Sequence, residues 1–131
     1  MTEPFFLTLA EVIEIHKNQI ELYGGNHGIR DLSLLQSAIA QPEASFGGEF
    51  LHKDIFEMAA AYAFHICQNH ASLDGNKRAA LASALVFLKF NNIFLDDPAQ
   101  KLYNAMMALA KGQLEKKDLA GIFQRLEKKG S

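Results

Sequence analysis

A chain of 131 residues, 49% hydrophobic and 21% charged, suits one domain spanning 1–131, with a core that needs no covalent staple. A net charge of −2 argues against a partner held mainly through phosphate-backbone contacts, and the single cysteine, Cys67, excludes an internal disulfide. No stretch approaches the roughly 18 uninterrupted apolar residues needed to span a bilayer. The first residues show no basic run leading into an apolar segment, so the reading is a cytoplasmic protein without a secretory signal, binding neither nucleic acid nor membrane directly.

Along the chain, Thr8-Leu-Ala-Glu11 is a capping box, in which hydroxyl and carboxylate satisfy free backbone donors at a helix start. Leu9, Val12, Ile13, His16 and Ile20 follow at helical spacing until Gly24-Gly25 stops the helix. Asp31 can cap a second helix carrying Leu32, Leu35 and Ile39, which ends before Pro42. Residues 43–52, with Gly47-Gly48 between Phe46 and Phe50, read as an exposed flap or short β-hairpin. A third helix is predicted from Asp54 to Asn69, with Ile55, Met58, Ala59, Tyr62 and Ile66 on one face. A fourth starts near Gly75 and runs through Leu88; apolar on nearly every side, it is expected to be the buried central helix. Asn91-Asn92 ends it, residues 93–95 are extended, and two further helices carry Leu102, Met106 and Leu109, then Leu119, Ile122, Phe123 and Leu126. The fold class is therefore all-α, a bundle of about six helices. Cys67 and the regularly spaced Met and Phe residues read as core.

The stretch that carries chemistry is His70-Ala-Ser-Leu-Asp74-Gly-Asn76-Lys77-Arg78, a loop running into the fourth helix. Backbone N–H groups at a helix start are unpaired, and the helix dipole favours an anion there. Gly75 permits close approach of a phosphate, while Asn76, Lys77 and Arg78 add side-chain donors. Asp74 offers a hard oxygen ligand for a magnesium ion at the edge of that anion site. His70, with a pKa near neutrality, can act as general base toward a hydroxyl. Base, metal ligand and phosphate cradle together are what phosphoryl or nucleotidyl transfer requires. A transition-metal site from His65, His70 and Asp74 is not supported, because the intervening loop keeps the three off one helical face. His16, His27 and His52 have no recognisable context.

The order His-x-x-x-Asp-Gly-Asn-Lys-Arg resembles the signature of the Fic/Doc superfamily, and Lys77 before Arg78 resembles its Doc (death-on-curing) toxin branch. Tyr23 to Asp31 is similar to the family's turn after the first helix, 45–50 to its flap, and 82–88 to its central helix; together, roughly residues 5 to 127 are covered. The resemblance implies a compact Fic/Doc bundle with His70 as catalytic base, Asp74 as Mg2+ ligand, and Gly75, Asn76, Lys77 and Arg78 binding ATP phosphates. It also implies a flap, Phe46, Gly47 and Gly48, that positions the target. Lys77 stands where Fic adenylyltransferases carry a small residue, and in the Doc branch this accompanies transfer of the γ-phosphate rather than AMP. The implied role is that of a toxin arresting translation by phosphorylating a threonine of elongation factor Tu, neutralised by a Phd-like antitoxin whose C-terminal segment docks on it.

The sequence departs from the family at Ser72, where a Phe usually anchors the loop, and more mildly at Ala79, where Thr is common. Replacement packing would have to come from Leu73, Phe46 or Phe50. Two alternatives stay open: an AMP transferase on the same fold, and a weakened toxin retained as an antitoxin-binding module. Ser45-x-x-x-Glu49 matches the spacing of a self-inhibitory Fic pattern, but that pattern needs a helix and the glycine pair opposes one.

Overall fold

The helix boundaries follow from local chemistry. Thr8 Oγ1 accepts from the Glu11 N–H at 3.2 Å while Glu11 Oε1 accepts from the Thr8 N–H at 2.8 Å, the reciprocal cap that starts α1, Leu9–Tyr23. Asp31 Oδ1 accepts from the N–H groups of Ser33 and Leu34 and starts α2, Leu32–Ala40. The computed structural model describes residues 3–24, 31–68, 76–97 and 100–128, Asn76 by its backbone alone.

A two-stranded antiparallel hairpin follows, β1 Ser45–Phe46 and β2 Glu49–Phe50, with Ser45 opposite Phe50. Gly47 and Gly48 turn it with φ of 62° and 84°, the pair of left-handed positions that a two-residue turn of this hand requires. Then come α3 (Ile55–Gln68), α4 (Asn76–Phe90), α5 (Lys101–Ala110) and α6 (Lys116–Arg125). Among the described residues, the bundle is all-α apart from this hairpin and an isolated bridge between Leu95 and Glu127. Among the described residues, no helix is long and apolar enough to cross a membrane.

α3 and α4 make the largest helix–helix contact. Ala59, Ala60, Ala61 and Ala63 on α3 and Ala79, Ala80 and Ala84 on α4 are all buried, and such small side chains allow close approach of the backbones. Its apolar pattern in the sequence predicts α4 as the buried centre. The structure gives that position to α3, which is covered by α2, α4, α5 and α6. On α4 the face bearing Leu81, Ala82, Leu85 and Val86 stays half-buried, because α1 and α5 leave a groove between them there.

At its end α4 closes with a two-bond C-cap. The Asn92 N–H donates to Lys89 O and the Ile93 N–H to Leu88 O, with Asn92 itself at φ 66°. Asn91 then pins the N-terminal arm, accepting from the Phe5 N–H and donating to Phe5 O. Phe6 stacks on Phe87 at 5.9 Å and meets Phe50 edge-on at 5.6 Å. This contact roots the hairpin near the C-terminal end of α4. Phe50 is thus already engaged away from the α4 N-terminus, and Phe46 is 82% exposed. Ser72 and Leu73 lie outside the described residues.

Candidate functional site at the start of the fourth helix

The helix that the motif enters begins at Asn76, one residue after Gly75 in the sequence, and the first N–H groups of a helix have no partner within it. His70, Ser72, Asp74 and Gly75 lie outside the described residues, as does the side chain of Asn76. Lys77 and Arg78 are described, and both are half-buried in the first turn.

The two cations diverge, as adjacent helical positions must. Lys77 lies close enough to Cys67, near the end of α3, for its charge to oppose the rise that burial imposes on that thiol's pKa. Arg78 turns to the other side. Its guanidinium carbon lies 4.6 Å from the centroid of the Tyr23 ring and 5.4 Å from that of Tyr103. Tyr23 is the last residue of α1 and Tyr103 sits in the first turn of α5, so two helix ends position one cation. Stacking occupies the face of a guanidinium and leaves its N–H edge for an anion.

Beside Arg78 opens a groove of about 470 Å³ bordered by Gln19, Tyr23, Leu81, Leu85 and Tyr103. An adjoining hollow of about 290 Å³ continues along Leu85, Ile93 and Leu95. Sequence reasoning found Arg78 but missed Tyr23 and Tyr103 as its partners. Nothing local in the sequence ties either ring to a residue so far along the chain.

Among the described residues, no three His, Cys, Asp or Glu side chains are grouped to hold a metal ion. The hairpin residues Phe46, Gly47 and Gly48 are exposed, and their root at Phe50 belongs to the Phe6–Phe87 end of α4. From Arg78 to Phe87 is nine residues, about 14 Å along the helix axis.

Residues 6–88 match the model of the Fic/DOC family. The chain is 32% identical over 116 residues to the protein kinase doc of Escherichia phage P1, covering 88% of this chain and 90% of that one. It is 40% identical over 73 residues to the toxin Doc of Mycolicibacterium smegmatis, a match spanning 56% of each chain and so just over half of that relative's length.

Proposed function

The chain belongs to the Fic/DOC family, and on that premise we propose that it is a Doc-like toxin. It transfers the γ-phosphoryl group of ATP to a hydroxyl of a translation protein, with a threonine of elongation factor Tu as the expected acceptor, and so arrests translation in the cytoplasm. The observation that carries this reading is Arg78, held in the first turn of α4 between Tyr23 and Tyr103. A planar fork of donors beside free helix N–H groups suits phosphate oxygens.

In this reading Gly75, Asn76, Lys77 and Arg78 bind and orient the phosphates. His70 takes the proton from the acceptor hydroxyl as its oxygen bonds to the γ-phosphorus and the bridge to the β-phosphate breaks, releasing ADP. Asp74 would hold Mg2+, which when bound neutralises charge on the phosphates. Phe46, Gly47 and Gly48 would guide the target segment. Lys77, a long cation in place of a small residue, supports γ-phosphoryl transfer over AMP transfer. Expression of the wild-type chain should arrest growth, and His70→Ala should abolish the arrest while leaving the helical circular-dichroism spectrum unchanged. Arrest by the His70→Ala variant would refute the general-base assignment.

The partner is a Phd-like antitoxin whose C-terminal segment docks on the toxin. The groove along Leu81 and Leu85 supports this, since it leaves an apolar face of a core helix only half covered. Ser72 favours a second reading, a weakened toxin kept as an antitoxin-binding module. Ser72→Phe tests it: restored arrest from a silent wild type would favour the module, and an already active wild type would exclude it.

A further inference from the structure

A hollow of about 640 Å³, larger than the groove beside Arg78, lies on another side of the bundle, between α3 and the α5–α6 turn. Phe64, Leu109 and Leu114 form its apolar wall. Its polar end is built by residues far apart in sequence. Lys116 Nζ lies 3.1 Å from His65 Nε2 and 3.4 Å from His52 Nε2, and 5.4 Å from the Phe64 ring centroid. Only neutral imidazole nitrogens can accept from an ammonium, so both rings serve as uncharged acceptors here. Those three contacts are the ones the Lys116 side chain makes among the described residues, and none is a carboxylate. Glu57 and Glu115 also border the hollow, but Glu57 Oε1 is engaged by the Lys53 N–H and Glu115 is exposed.

A half-buried ammonium without a counter-ion among the described residues, at the first residue of a ten-residue helix and at the head of an apolar-walled hollow, is half of a recognition site. We propose that this hollow binds a small organic anion, whose phosphate or carboxylate meets Lys116 and whose flat apolar body lies along Phe64 and Leu114. The hollow shares no lining residue with the groove beside Arg78, and its reading does not rest on the kinase reading. It reaches His52, two residues past β2, and Gln68, the last residue of α3.

The test titrates the full-length protein with phenyl phosphate while following the ring signals of His52 and His65 by NMR. Benzoate and inorganic phosphate serve as separate arms that tell a carboxylate from a phosphate preference. Expected are saturable shifts of both rings with phenyl phosphate, or with benzoate if a carboxylate is preferred, and weaker binding of inorganic phosphate, which lacks the apolar body. Lys116→Met should weaken binding by about tenfold or more, with Lys116→Arg restoring most of it. Phe64→Ala should weaken it several-fold, and Arg78→Ala should leave it unchanged. Absence of saturable shifts, unaltered affinity in folded Lys116→Met, or loss of the shifts in Arg78→Ala would each overturn the proposal, the last by assigning the ligand to the start of α4.

Discussion

The guanidinium of Arg78 lies 4.6 Å from the ring centroid of Tyr23, so the cation in the first turn of α4 is positioned by the last residue of α1. This relationship joins the helix that begins the fold to the turn that the motif enters. It makes the phosphate-binding reading sensitive to a residue outside the motif.

Tyr23→Leu should therefore weaken ATP binding without unfolding the chain. A cation–π contact at a partly exposed site contributes about 0.5–1 kcal/mol, which corresponds to a loss of about twofold to fivefold. Titration calorimetry on Tyr23→Leu and Tyr103→Leu reads this directly. Arg78→Lys should lose more than either, because a point charge replaces a stacked, forked donor.

Tyr62 illustrates a structural role in the same core. The Leu7 N–H donates to Tyr62 Oη at 2.8 Å in a buried setting, and the ring packs on Phe87 at 5.0 Å. Burial raises the phenol's pKa, so the hydroxyl stays neutral and available as acceptor. Tyr62→Phe leaves a buried backbone donor unsatisfied and should cost about 1–3 kcal/mol in urea unfolding. Binding at α4 should change little.

What the sequence made legible is mostly local. Thr8 with Glu11, Asp31 with Ser33, and the Gly47–Gly48 turn are each decided within four residues, and each stands as expected. The choice between α3 and α4 as the central helix was not legible. Both are apolar nearly all round, and only the packing of α6 and α2 onto α3 decides it. The motif identified the site's Arg78, but its tyrosine partners are separated from it by 55 and 25 residues, and His52 from Lys116 by 64. No periodicity encodes such pairings.

The groove on α4 leads to a prediction about the partner. Leu81→Asp and Leu85→Asp put charge on a half-buried apolar face without entering the core. They should reduce antitoxin affinity at least about tenfold, measurable by pull-down. Equal antitoxin binding by both variants would move the docking surface elsewhere.

The His52–Lys116–His65 cluster predicts a pH dependence of stability. Burial first, then Lys116 and His52, push the His65 pKa down to about 4; burial and Lys116 also lower His52, partly offset by Glu57. Burial lowers Lys116 itself. Between the ordinary value of 6.5 and about 4, the unfolded chain binds more protons at His65 than the folded one, so this contribution to stability is present above pH 6.5 and is lost as pH falls toward 4. Glu57, Glu115 and Lys117 border the same hollow and complete its charge environment. Removing the cation in Lys116→Met should flatten the fall in melting temperature between pH 6.5 and 4. An unchanged slope would show that Lys116 does not govern these imidazoles.

In the proposed reaction, phosphates dock where α4 begins and His70 activates the acceptor. Purified protein incubated with elongation factor Tu and ATP labelled on either the γ- or the α-phosphate tests it most directly. The expected result is γ-label on the target, abolished by His70→Ala and strongly reduced by Arg78→Ala. Label arriving from the α-phosphate, or γ-label persisting in the His70→Ala variant, would contradict it.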